Sequence, residues 1–206
     1  MATSFHVEPI DASFGAIVTD INLAKLDAQT FNSLYRTWLD YALLIFPEQF
    51  LERDDQVAFA KRFGELEFDI APISNVRRDG SLRPDDDSDD VVKILKGNMG
   101  WHADSTYMPV QAKGAVFSAH VVPSVGGETG WADMRAAYDA LDEKTRTRIE
   151  GLKAYHSLHY SQSKLGHSHK AASQYSGYGF HDGEVPLRSL VKTHPETGRK
   201  SLLIGR

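Results

Sequence analysis

Apolar and polar positions change over short distances along most of this chain, and the first half shows it most clearly. Residues 5–10 and 14–21 read as two short strands broken around Asp11-Ala12-Ser13; the second alternates in part and carries β-branched residues. Asp27 stands where an N-cap belongs. Phe31, Leu34, Tyr35 and Trp38 follow it at i, i+3, i+4 and i+7, which predicts a helix with one buried face. Ala42-Leu43-Leu44-Ile45-Phe46 is an unbroken apolar run closed by Pro47, the pattern of a buried central strand. A second amphipathic helix is predicted from about Asp54, with Val57, Ala60 and Phe63 inward and Gly64 as its stop.

Residues 74–90 break this rhythm with turn formers, one proline and a run of acids. The acids lack the spaced ligands and glycine turn of an EF-hand, so the segment reads as a mobile surface loop placed where a lid could act. It leads into Val91-Val92-Lys93-Ile94-Leu95. Residues 114–122, ended by Pro123, predict a further strand. The glycine-rich turn at 124–131 lacks the Lys-Ser/Thr pair of a phosphate-binding loop. Asp133 is placed to cap a helix holding Met134, Ala137, Tyr138 and Leu141. Asp142 is placed to cap the next, which ends near Gly151 with Ile149 and Leu152 buried. Residues 189–193 and 200–204 predict strands flanking a hairpin at 194–199. Strands and helices mix without the regular alternation of a doubly wound sheet.

Composition narrows the chemistry. The 206 residues include 41% hydrophobic and 25% charged side chains, the balance of an ordinary globular protein large enough for one core. A formal net charge of -5 gives no reason to expect nucleic acid or an anionic membrane as partner. The absence of cysteine excludes disulfides, thiolate metal sites and a thiol nucleophile, so any metal must use His, Asp or Glu. No apolar stretch approaches a membrane span, and the first residues carry no secretory pattern; a cytoplasmic protein is expected.

The segment 98–107, Asn-Met-Gly-Trp-His-Ala-Asp-Ser-Thr-Tyr, carries the leading candidate. If it is extended, His102 and Asp104 project from one face while Ala103 points away. An imidazole beside a carboxylate supplies two of the three ligands of the 2-His-1-carboxylate iron triad, which leaves positions open for chemistry. With nine histidines in the chain, a turn aspartate hydrogen-bonded near a packed histidine is the competing reading. His156, His159, His167, His169 and His181 fall in a stretch rich in Ser, Tyr and Gly. Their spacings form no recognised zinc or copper frame, and a polar loop crossing the surface or bordering a pocket is expected there. Arg77, Arg78, Lys93 and Lys96 could neutralise an acidic ligand; a solvated charged face would account for them equally.

Several blocks, taken in order, resemble the taurine/2,4-dichlorophenoxyacetate dioxygenase family of Fe(II)- and 2-oxoglutarate-dependent oxygenases. They are "YALLIFPEQ" with "QVAFAKRFGELE", "NMGWHADSTY", "VVPSVGGETGWADMRAAYDAL" and "VKTHPETGRKSLLIG", preceded by residues 14–23. The wording of "GGETGWADMRAAYDAL" and "HSLHYSQSKLG" is nearer the aryloxyalkanoate-degrading branch than the taurine branch. The resemblance implies a mixed, β-rich fold: a double-stranded β-helix (jelly-roll) core with flanking helices, here one domain over residues 1–206. It implies that His102 and Asp104 bind Fe(II), that Thr129 hydrogen-bonds the 2-oxoglutarate carboxylate, and that Asn98 contacts the substrate. O2 is the second cosubstrate, and no catalytic side chain is implied beyond the metal site. The implied reaction hydroxylates a small aryloxyalkanoate- or sulfonate-like acid and releases succinate and CO2; a homo-oligomer is favoured by the likeness alone. The family's second iron-binding His and its 2-oxoglutarate Arg are expected beyond Arg206, and with them the last strands of the jelly roll. The chain is therefore expected to be a C-terminally truncated member that binds iron poorly. An inactive homologue working through subunit association is the alternative.

Overall fold

The structure is a computed structural model and describes residues 5–86, 88–164 and 183–204. Two units emerge, one of Met1–Ile70, Gly114–Leu141 and Thr193–Ser201, the other of Ala71–Lys113, Asp142–Lys192 and Leu202–Arg206.

In the first unit, strand β1 (His6–Pro9) pairs antiparallel with β2 (Ala16–Thr19), in register from His6 opposite Thr19 to Pro9 opposite Ala16. Alternation along β2 buries Ala16 and Val18 completely. Helix α1 (Ala28–Tyr41) begins where the sequence predicts. The Asp27 carboxylate accepts from the Thr30 amide at 2.7 Å, and Phe31 and Leu34 face the core. Ala42 ends the helix in the left-handed region, φ 63°, with its amide on the Trp38 carbonyl. β3 (Leu44–Ile45) then runs parallel to β2.

The apolar run at 42–46 is thus not a buried central strand. β3 is two residues long, lies at the edge of the order β1-β2-β3, and leaves Ile45 43% exposed. The run is apolar enough for a central position, but among the described residues only β2 pairs with it. Helix α2 (Arg53–Lys61) buries Phe59 and leaves Val57, Ala60 and Phe63 half-buried, a shift of the expected face. Phe5, Val18, Leu23, Phe31, Leu34, Leu51 and Phe59 form the core of this unit. Each such side chain, fully buried, stabilises by about 1.5–3 kcal/mol. Phe63 adds edge-on ring contacts to Phe31, Trp38 and Phe59 at 5.0–5.3 Å.

The strand expected over 114–122 is absent. Its backbone finds no ladder partner among the described residues, and pattern without pairing does not make a strand. Gln56 Nε2 holds the Val116 carbonyl at 3.2 Å, while Val121 is 89% exposed. The 124–131 turn uses Gly126 and Gly127 at positive φ and leads to α4 (Met134–Asp139), capped by Asp133 as predicted but ending before Leu141.

In the second unit, α3 (Asp90–Gly97) follows the 74–90 loop and α5 (Glu143–Ile149) starts on Asp142, whose carboxylate accepts from the Thr145 amide. Leu152, expected to be buried, is 48% exposed, and Ile149 is half-buried. The helix is short, and its end packs on too little to cover them. β4 (Lys153–Tyr155) pairs antiparallel with β5 (Leu187–Ser189). Leu190 interrupts the strand expected over 189–193. Its amide bonds Leu152 and its carbonyl accepts from Leu203, so β5 stops and β6 (Val191–Thr193) begins beyond it. β6 and β7 (Lys200–Leu202) pair as the expected hairpin strands.

The histidine-rich stretch is not a loop throughout. After β4, His156 is 2% exposed and α6 (Leu158–Lys164) buries Leu158 and Gln162. A Cβ at Gly97 would lie 2.8 Å from Oε1 at the tip of the Gln162 side chain, which marks the close approach of α6 to the end of α3. His167, His169 and His181 lie outside the described residues. Among those described, no helix is long and apolar enough to cross a membrane.

Candidate metal centre

The site grows from the start of α3. Asp89 Oδ1 accepts from the amides of Val91 at 2.9 Å and Val92 at 3.3 Å, filling the N-cap. The same carboxylate meets Arg83 at 3.1 Å and Arg77 at 3.3 Å. Burial pushes the Asp89 carboxyl upward, but Arg83 and the Val92 and Val91 amides outweigh it and hold it below its ordinary value. Two turns later the Asn98 amide closes on the Ile94 and Leu95 carbonyls. The segment continuing from there is the one that carries His102 and Asp104.

His102 and Asp104 come together, though not by strand alternation. Asp104 opens a turn that runs to Tyr107. His102 Nε2 lies 3.2 Å from Asp104 Oδ1, and Nδ1 lies 2.7 Å from the Gly100 carbonyl. A carbonyl can only accept, so Nδ1 carries a proton and Nε2 is the ring nitrogen that faces the carboxylate oxygen. Two acceptors at that separation repel unless a cation or a second proton lies between them. This is an orientation that suits a metal-binding imidazole, set by a backbone carbonyl behind it. The donor set therefore fits a divalent cation.

The three residues after the pair anchor it. Ser105, Thr106 and Tyr107 are 1%, 0% and 6% exposed, whereas the Asp104 side chain is 76% exposed. Ser105 takes φ 50°, and its hydroxyl accepts from the Ala112 amide at 2.8 Å. From β5, Arg188 Nε donates to the Thr106 carbonyl at 2.6 Å and Nη2 to the Met108 carbonyl. Ser105, Asp89 and Arg188 were not singled out from sequence. The cap residue could have been, since Asp89 precedes Val91, Val92 and Leu95 at helical spacing; Arg188 carries no local signal.

Asn98 sits at the C-cap of α3, exposed, in the same unit as the pair. Thr129 belongs to the first unit, exposed, between Gly127 and the cap of α4. Of the loop cations, Arg77 and Arg83 are taken up by Asp89, and Lys96 meets Asp85 at 3.4 Å. Among the described residues, no group of three His, Asp or Glu side chains converges as a metal site.

The profile of the family described as "Taurine catabolism dioxygenase TauD, TfdA family" matches residues 6–206. The chain belongs to this family. A curated relative in Sphingobium herbicidovorans, an "(S)-phenoxypropionate/alpha-ketoglutarate-dioxygenase", is 70% identical over the whole of this chain and 72% of its own length. The "Alpha-ketoglutarate-dependent 2,4-dichlorophenoxyacetate dioxygenase" of Cupriavidus pinatubonensis is 35% identical over 98% of this chain and 74% of its own. Among solved structures, AAD-2 in complex with Mn(II) and N-oxalylglycine superposes with a TM-score of 0.86 at 35% identity, covering 98% of this chain and 71% of AAD-2. The fold class is the expected jelly-roll type of these matched structures; the described residues are mixed helix and sheet, with few strands, in three small sheets.

Proposed function

We propose that this chain serves an Fe(II)- and 2-oxoglutarate-dependent dioxygenase that hydroxylates an aryloxyalkanoic acid of the 2-phenoxypropionate class. The observation that carries the reading is the 70% identity to an (S)-phenoxypropionate dioxygenase across the entire chain, with the His102–Asp104 pair in ligand-ready geometry. Fe(II), 2-oxoglutarate and O2 supply the oxidising chemistry: one oxygen atom enters succinate as CO2 leaves, and the other enters the substrate. Hydroxylation at the carbon beside the ether oxygen gives a hemiketal, which collapses to a phenol and a 2-keto acid.

The chain's own contribution is positioning. His102 and Asp104 would hold the metal, with the Gly100 carbonyl fixing the ring. Thr129 donates its hydroxyl to the 2-oxoglutarate carboxylate, and Asn98 contacts the acidic substrate. Residues 1–206 act as one oxygenase domain in the cytoplasm, with 74–90 as its surface loop. A second reading, a non-catalytic member acting through association with another subunit, draws on the absence of a third converging donor among the described residues.

Incubating the chain with Fe(II), 2-oxoglutarate and air, with (S)- or (R)-2-phenoxypropionate, separates the readings. Succinate and phenol in small but equal yields, with the (S) enantiomer preferred, are expected, since only two donors of the triad converge among the described residues. Metal binding without succinate would favour the non-catalytic reading, and succinate without phenol would remove the substrate assignment.

A further inference from the structure

The two sides of the metal-binding turn are held differently. On its N-terminal side the last turn of α3 does the work through the Asn98 amide. On its C-terminal side the holding comes from far along the chain. The Arg188 guanidinium donates to the carbonyls of Thr106 and Met108, 82 and 80 residues away in sequence, and these flank the buried Tyr107. Thr106 is two residues past Asp104.

A planar fork placed on two carbonyls i and i+2 fixes both position and twist of a backbone segment, which a single ammonium donor cannot do. No described carboxylate is paired with Arg188, so its contacts are made to the turn rather than to a counter-ion. His156, on the neighbouring strand's end, is buried beside that charge, and its ring is held below its usual pKa by burial first and by Arg188 second. A neutral ring there adds no competing charge. Arg188 is itself only partly buried, in the short β5 strand that β4 supports.

We infer that Arg188 is a positioning residue for the metal pair: by clamping the Thr106 and Met108 carbonyls it sets the geometry in which His102 and Asp104 converge. This rests on the metal reading above, and it concerns a residue that touches neither metal nor substrate. The wild type, Arg188→Lys and Arg188→Met are compared by hydrogen exchange of the metal-free protein and by calorimetric titration with Co(II). Exchange at residues 103–108 should quicken by about tenfold or more in Arg188→Met while α1 stays unchanged, and the Co(II) dissociation constant should rise about tenfold, the usual scale for loss of a supporting contact. Arg188→Lys should fall between, and it carries the comparison if the Met variant does not fold. Unchanged exchange in both variants, or faster exchange with unchanged Co(II) affinity, overturns the clamp. Failure of the wild type itself to bind Co(II) overturns the metal reading, and the clamp's role with it.

Discussion

Asp89 joins the loop before the site to the helix that leads into it, and its removal should be felt in a predictable split. In Asp89→Ala, α3 loses its N-cap acceptor, worth about 1 kcal/mol. The change also removes the contacts of Arg83 Nη1 to the two Asp89 carboxylate oxygens. Both side chains of that pair are only 12% exposed, so the charge-assisted bond is of the kind worth about 1.5–3 kcal/mol. The Arg77 contact, with 38% of that side chain exposed, adds at most about 1 kcal/mol. Allowing for non-additivity around one carboxylate, the alanine variant should be destabilised by about 2–4 kcal/mol. Asp89→Asn keeps an oxygen for the Val91 and Val92 amides and loses only the charge, which predicts a loss of about 1–2 kcal/mol.

Urea denaturation followed by far-ultraviolet circular dichroism reads both values. The pH dependence gives an independent check. Because the folded Asp89 carboxyl lies below its unfolded value, its contribution is complete above the ordinary carboxylate range and is lost as pH falls through the lower folded pKa. The deficit of Asp89→Asn should therefore shrink in strong acid. Equal losses in the Asn and Ala variants would refute the separate role of the cap. Losses below about 0.5 kcal/mol in both would refute the whole accounting.

Three further outcomes follow from particular contacts. His102→Ala and Asp104→Ala should each weaken Co(II) binding by at least about a hundredfold in calorimetry, beyond the effect of losing a supporting contact, and Asp104→Ala should leave urea stability nearly unchanged because that side chain is largely exposed. Gly114→Ala places a methyl 2.8 Å from Trp38 Cζ2 and 3.1 Å from Cη2, against a ring that cannot fold away; a loss of about 1–3 kcal/mol is expected, and an unchanged urea midpoint would contradict it. His156 has its folded pKa lowered, so the unfolded chain binds the extra proton first. Stability should fall as pH drops below about 6.5 until the lower folded pKa is passed, and His156→Leu should flatten that part of the profile in pH-dependent denaturation.

What could be read from sequence was mostly local. Asp27, Asp133 and Asp142 were legible as caps because the side chain that defines the feature and the amides that satisfy it lie within three residues. The Phe31–Leu34 face was legible because its period belongs to one helix. The His102–Asp104 pair was legible as residue types, but the turn that joins them was not. The left-handed Ser105 and the Arg188 clamp, which shape that turn, carry no signature in neighbouring residues. Strands failed for a related reason. Residues 42–46 and 114–122 have strand composition, yet a strand also needs a partner, and pairing is decided by parts of the chain far away. The stretch after Tyr155 misled in the opposite sense: its Ser and His content suggested a loop, while Leu158 and Gln162, four apart, mark the buried side of a short helix.

This division bears on how the site is built. The ligand-bearing turn has little stability of its own, since Met99 and Trp101 before the pair are 82% and 76% exposed and Asp104 faces solvent. Its order comes from three anchors: the Asp89-capped helix before it, the buried Ser105–Tyr107 step after it, and the Arg188 fork from β5. A turn held on both sides while its ligand atoms stay exposed can accept a metal without rearranging its backbone. Nε2 of His102 and the Asp104 carboxylate already stand 3.2 Å apart, so one cation or proton can be shared between them. In the proposed metal-binding role, the anchors would shift the cost of arranging His102 and Asp104 from the moment of binding to the folding of the unit, which is how preorganisation raises affinity.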